Sequence, residues 1–294
     1  MSRRDIWAAL LAFSLAPAWS AVPGRTEPPT GPDLPRLTAE QVVNRNLAAR
    51  GGASEWAAVH SMRMSGRLDA GYERKDGGTL VTSLQQAKLR ARSLAEQIFA
   101  GRASSAAPKV IRLPFTLDLA RPNRMRLEIP FQGDTAVQTY DGTNGWKLRP
   151  FLGRRELEQF NSEELAVASE QQELDGPLVN LAAKGTRITL EGTDTIEGHA
   201  AYRLKLALKN GSVRHLWIDG QSFLDIRFEG TPRRIEGKVR PVYTYYSDYR
   251  PEHGLLMAHH LETAVEGTRQ RQSIDIEKVA LNIELRDSRF ARPL

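Results

Sequence analysis

The feature that most restricts the fold is a period of two that returns about a dozen times along the chain. Between Ser61 and Ala70, Met62, Met64 and Leu68 alternate with Arg63, Ser65 and Arg67. Phe115, Leu117 and Leu119 alternate with Thr116 and Asp118, and Met125, Leu127 and Ile129 with Arg124, Arg126 and Glu128. Successive side chains of an extended chain point to opposite faces, so each stretch reads as a strand with one apolar and one wet face. Further candidate strands are 135–140, 145–148, 187–191, 201–208, 213–218, 224–229, 242–249, 256–265 and 272–281. Asn210-Gly211, Asp219-Gly220 and His253-Gly254 supply turn residues between them. Short strands on tight turns predict an antiparallel barrel or a strongly curved sheet. A chain of 294 residues, 40% of them hydrophobic, can bury a core under such a sheet.

Helices are predicted at three places. Thr38 is a good N-cap with Gln41 three residues on, and Gly51 and Gly52 end the helix that follows. A short helical turn is expected around 55–59. Over 83–100, Leu84, Ala87, Ala91, Leu94 and Ile98 form one stripe at helical spacing, and Lys88, Arg90 and Arg92 lie on the other side. The third helix, capped by Asn161 or Ser162, has five acids and no base between Glu163 and Asp175. Asp175-Gly176-Pro177 breaks it before a further turn around 178–182.

The formal net charge of +6 is local. Between Arg74 and Arg112 eight basic residues face only Asp76 and Glu96, so this segment carries the whole excess. The expectation is one basic segment on an otherwise balanced protein. Its basic helix is expected either to pack on the barrel, or to touch an anionic membrane surface or a partner through Lys88, Arg90 and Arg92. At the N-terminus, Arg3 and Arg4 precede an apolar run over 6–16, and Ala18 and Ser20 form a small-x-small pattern. That layout is a secretory signal peptide, residues 1–20, cleaved near Ser20. "SRRDIW" also resembles a twin-arginine signal, but the general secretory route is preferred. Residues 21–37, rich in proline, are expected to be a disordered leader. The chain has no cysteine, so neither a disulfide nor a lipid-anchoring cysteine is available, and the mature form is expected to be soluble and periplasmic.

The motifs that would carry chemistry are incomplete or absent from the sequence. "TYDGTNGWKLRPFLG" (139–153) lacks the ligand count and the closing glutamate of a calcium loop. It reads instead as a hairpin turn at "DGTNG", with Trp146 opening the next strand and pointing inward. His259 shares a strand face with Met257, Leu261 and Val265 and reads as a satisfied core histidine. His260 faces the other way, so the two cannot chelate one metal from a regular strand. Asp275 and Glu277 read as a solvated edge. No phosphate loop, metalloprotease helix or nucleophile elbow is present. The expectation is a protein that is not an enzyme, with no cofactor, no metal and no nucleic-acid partner.

Four strings carry a resemblance: "AARGGASEWAAVHSMRMSG" (48–66), "TYDGTNGWKLRPFLG", "ELDGPLVNLAAKGTRITLEGTDTIEGHAAYRLKLALKNG" (173–211) and "IEKVALNIELRDSRFARP" (276–293). Together they resemble the bacterial outer-membrane lipoprotein-sorting proteins, relatives of the periplasmic carrier LolA, from about Leu37 to the C-terminus. The resemblance implies an α+β fold: an unclosed, strongly curved antiparallel β-barrel with helices plugging its concave apolar face. It implies a single domain over 38–294 with a basic helical insert at about 72–113, a segment longer than the family pattern. It implies transport or binding of acyl chains of lipid or lipoprotein in an apolar groove, in outer membrane biogenesis. The residues expected to line that groove are Met62, Met64, Leu117, Met125, Leu127, Trp146, Leu178, Leu204, Leu206, Trp217, Met257 and Leu261. The alternative is an envelope sensor or scaffold that binds an inner- or outer-membrane protein and carries no cargo.

Overall fold

The computed structural model describes residues 32–72, 110–150, 154–171, 174–235, 237–268 and 271–293. The predicted signal peptide, the predicted helix over 83–100 and Lys88, Arg90 and Arg92 lie outside these residues.

Two helices open the described chain, α1 (Ala39–Ala49) and α2 (Ala53–Ala58). Thr38 caps α1 through the predicted box: its hydroxyl accepts from the Gln41 amide at 3.2 Å, and the Gln41 side chain accepts from the Thr38 amide at 2.9 Å. Six strands follow: β1 (Ser61–Tyr72), β2 (Val110–Ala120), β3 (Arg124–Phe131), β4 (Asp134–Tyr140), β5 (Gly145–Arg149) and β6 (Arg154–Gln159). Then come α3 (Ser162–Gln171) and the single turn α4 (Leu181–Lys184). The second half holds β7 (Arg187–Ile196), β8 (His199–Ala207), β9 (Val213–Asp219), β10 (Asp225–Glu229), β11 (Arg233–Ile235) and β12 (Lys238–Arg240). It closes with β13 (Val242–Glu252), β14 (Leu255–Val265), β15 (Arg271–Leu281) and a 3-10 turn at Asp287–Arg289.

Thirteen strands form one antiparallel sheet in the order β6-β5-β4-β3-β2-β1-β15-β14-β13-β10-β9-β8-β7, with β11 and β12 as a separate small hairpin. Each half is built from hairpins between chain neighbours. The long-range pairing of β1 with β15 welds the halves together. Strands β6 and β7 are the two edges and do not pair with each other, so the sheet is not closed. This fits the unclosed, curved barrel that the resemblance implies. The connection from one edge to the other carries α3 and α4. Strands β1 and β2 pair directly, and the expected basic insert between them lies outside the described residues.

Local chemistry explains the details that alternation alone could not supply. His253 and Gly254 both have positive φ, 51° and 87°, as the tight β13–β14 hairpin demands. At the β1–β15 junction the register shifts between Ser65 and Gly66. There a Cβ on Gly66 would stand 1.9 Å from the Asp275 carbonyl oxygen, so only glycine fits the bulge. Residues before Thr38 are also held against the sheet. The Pro35 carbonyl accepts from the Tyr202 hydroxyl at 2.9 Å and the Pro32 carbonyl from Thr193 at 3.1 Å. Leu34 and Leu37 pack against the β8–β9 core. Residues 32–37 are thus held on the sheet rather than free, because two leucines among the prolines give them apolar surface to bury.

Candidate functional site

In an antiparallel sheet directly opposed residues share a face, so register assigns each side chain to one side. One row runs Leu127–Leu117–Met64–Val279 across β3, β2, β1 and β15. A parallel row contains Tyr140, Met125, Leu119 and Met62. A third runs Leu113–Leu68–Ile274–Leu261–Tyr246. In the other half Leu204, Leu216, Phe228 and Thr244 lie in line. All these rows are on the face that carries the helices, the inner face. Met62, Met64, Leu117, Met125, Leu127, Leu204, Leu206, Met257 and Leu261 therefore share the face expected of them.

The helices bury only part of this face. Val42 and Val43 of α1, with Leu178, pack on Tyr202, Leu204, Leu206, Leu216 and Ile218. Trp56 of α2, Ala168 of α3, Leu174 and Val179 pack on Met62, Leu119, Met125, Leu255 and Met257. Between and beyond these covers, Met64, Leu117, Leu127, Leu261, Ile274 and Val279 are only partly buried. They form a continuous apolar band across the middle of the inner face.

Polar groups under the helices fix the covers in place. Asp175 is 1% exposed and receives Arg121 at 2.7 Å and Lys184 at 2.9 Å. Burial pushes its carboxyl up, but the hydrogen bonds from Arg121 and Lys184 outweigh that and hold it below its ordinary value. Arg121 also donates to the carbonyls of Val59 and Trp56, which ties the end of α2 to the same carboxylate. At the end of α1, Asn46 donates to Asp225 at 2.9 Å, and Arg50 stands 3.7 Å from the same carboxylate. Burial raises Asp225 above its usual range against the pull of Arg50 and Asn46. Arg50 also lies over the Trp56 ring at 4.6 Å. On β5, Lys147 reaches Glu164 of α3. Each of these groups is tied to the placement of a helix or connection.

Two expected groove residues are on the wrong side. Trp146 is paired with Thr139, and Trp217 with Arg203 and Arg227, which places both on the outer face. For Trp146 the reason is Gly145: it takes the inner position opposite Tyr140, where the Phe160 ring leaves no room for a Cβ (2.1 Å). For Trp217 the reason is that Leu216, Trp217 and Ile218 are all buried, at 1%, 5% and 0% exposure. In a strand covered on both faces, alternation does not reveal which face is inside. The outer cover here is Arg227, stacked 3.6 Å from the centre of the Trp217 ring, with Asp194 accepting from the indole at 2.6 Å.

Asp141, His259, His260, Asp275 and Glu277 each have a partner within the sheet and its turns. Asp141 makes the predicted turn: its carboxylate accepts from the amides of Thr143 and Asn144 at 2.8 and 2.7 Å. His259 is buried with Nδ1 2.8 Å from the Ile276 carbonyl, and His260 faces Asp275 on the other side at 2.5 Å. Asp275 and Glu277 are not on an edge, since β15 lies between β1 and β14; they pair with Arg112 and Arg67. Sequence reasoning missed the C-terminal tail. Arg289 reaches both Asp118 (2.8 Å) and Glu128 (2.6 Å) on the outer face. Phe290 is fully buried there. Asp118 on an alternating strand looked merely wet; only its partner, far along the chain, makes it a buried anchor.

Comparison with known proteins bears on the fold. No protein-family model matches the chain, and no curated protein matches it. Among solved structures, a LolA superfamily protein of Nitrosomonas europaea aligns over 87% of this chain and 98% of its own, with TM-score 0.51 and 13% identity. A DUF1329 family protein of Desulfovibrio piger aligns over 86% of this chain and 96% of its own, with TM-score 0.51 and 12% identity. At such identities the likeness is one of architecture. The unclosed sheet, the inner apolar face and these alignments together show that this chain has the LolA-like fold.

Proposed function

We propose that the protein is a periplasmic carrier or binder of acyl chains, of lipid or lipoprotein, held against the inner face. The observation that supports this most is the band Leu127–Leu117–Met64–Val279. It is apolar, continuous over four strands, and left partly exposed between a helix-covered cluster and one built from strand residues alone. An acyl chain gains about 0.8 kcal/mol for each methylene buried, so the band needs no polar recognition motif to hold one. In this reading α3 and the Leu174–Val179 connection act as the plug, and Leu178 sets its depth. The protein has no catalytic role in this reading, and the signal-peptide layout of residues 1–20 supports export.

The test is native mass spectrometry of the mature protein from its own periplasm, together with displacement of a fluorescent fatty acid. Co-purifying acyl lipid and saturable fatty-acid binding are expected. Leu117→Asp, which puts a charge in the centre of the band, should weaken binding at least tenfold while leaving the fold intact. A protein that folds, carries no lipid and binds no fatty acid is the sensor or scaffold instead.

A further inference from the structure

The outer face carries a second concavity that acyl binding does not use. Residues 284–293 run back across the sheet on the side opposite the helices. The tail is anchored by Phe290, whose carbonyl accepts from the Thr139 hydroxyl at 2.6 Å. Between tail and sheet lies a cleft of about 740 Å³, floored by Val137 and Leu148.

Its walls are basic. Arg63 and Arg126 come from the sheet, and Arg286, Arg289 and Arg292 from the tail. Asp118 and Glu128 absorb part of this charge. Arg63 grips Asp118 with two bonds of 2.6 and 2.9 Å, Arg126 meets Glu128 at 2.8 Å, and Arg289 bridges both carboxylates. Three guanidinium groups thus share two carboxylates. Among the described residues, Arg286 and Arg292 have no acidic partner, and Glu284 is the one further acid on the wall. Five cations against three anions leave an excess of two positive charges around one cleft.

We propose that this cleft binds a phosphoryl dianion, the phosphate of either a soluble ester or a lipid headgroup. The guanidinium fork matches two phosphate oxygens at once, which a single ammonium does not. Ser288 and Thr135 add neutral hydroxyl donors on the wall. The apolar floor strengthens each charge contact relative to open water. The Asp118–Arg289–Glu128 network is complete without ligand, so it fixes the tail and leaves Arg286 and Arg292 to receive the anion. The site is independent of the inner-face reading, because the sheet separates the two.

The experiment is calorimetric titration of the mature protein with inorganic phosphate at low salt, with chloride at matched ionic strength as control. The comparison variant is R286A/R292A, whose positions lie outside the Asp118 network and whose melting should equal the parent's. Saturable phosphate binding, weakened at least tenfold in the variant, is expected. Vesicles of phosphatidylcholine with and without phosphatidic acid, whose headgroup is a phosphomonoester, then separate the sources. Co-sedimentation of the parent but not the variant with the anionic vesicles assigns a headgroup; phosphate binding without co-sedimentation assigns a soluble ester. No saturable phosphate binding, or equal binding by the variant, overturns the proposal.

Discussion

Single carboxylates show where the fold stores its electrostatic stability. Asp175 joins α2, through Arg121, to α4, through Lys184, and its carboxylate is closed to water. Its folded-state pKa is depressed, so it contributes stability above the unfolded value of about 4 and loses it as pH falls through the folded value. Asp175→Asn should cost about 2–3 kcal/mol near neutral pH, less than a wholly buried pair because Arg121 is a third exposed. Urea denaturation should show that deficit shrinking below about pH 4, where the carboxyl of the unfolded chain takes up its proton while the folded one still resists it. A deficit constant from pH 7 to pH 3 would mean that charge plays no part. Asp118 obeys the same sign: its bonds to Arg63 and Arg289 outweigh burial and hold it low. Asp118→Ala should therefore loosen the C-terminal tail, read as faster hydrogen exchange over 284–293 with little change in α1.

At the scale of elements, the legible and the illegible parts of the fold divide on one physical line. Strands with one covered face announced themselves: β1, β2 and β3 alternate, and the sequence placed Met64, Leu117 and Leu127 on the correct side. The 38–41 cap and the 141–144 turn were equally legible, because both are local hydrogen-bond chemistry. What depended on distant partners was not. The inward pointing of Trp146 failed because a ring eleven residues past Arg149 occupies the inner position at Gly145. Strand β6 and the β11–β12 hairpin carry too many charged residues to display a period. The β1–β15 weld could not be read at all, and its bulge admits only glycine: Gly66→Ala drives a Cβ into the Asp275 carbonyl and should lower the melting temperature strongly. A variant melting like wild type would show that the bulge can relax. In the α3–α4 connection, Leu178→Asp places a charge among Tyr202, Leu204 and Leu216. It should release the connection, seen as loss of exchange protection over 174–184, and should alter acyl affinity. Unchanged exchange and unchanged affinity together would remove the plug role.

At the scale of the whole molecule, one sheet separates two chemistries. The inner face is apolar and partly covered by helices; the outer face is cross-linked by arginine–carboxylate pairs and strapped by the tail. The rows that run unbroken through the β1–β15 junction make the apolar band possible, since neither half alone presents it. This division gives the central claim a direct spectroscopic test. Trp56 belongs to the inner cluster against which Met64, Leu117 and Leu127 pack, whereas Trp146 and Trp217 are on the outer face. A bromine-labelled fatty acid quenches an indole only on near contact. The measurement is tryptophan fluorescence of the mature W146F/W217F protein, titrated with that fatty acid, beside W56F as the outer-face reporter. An acyl chain on the inner band predicts saturable quenching of Trp56 and little quenching in W56F. Quenching confined to the outer tryptophans, or none at saturation, would contradict it.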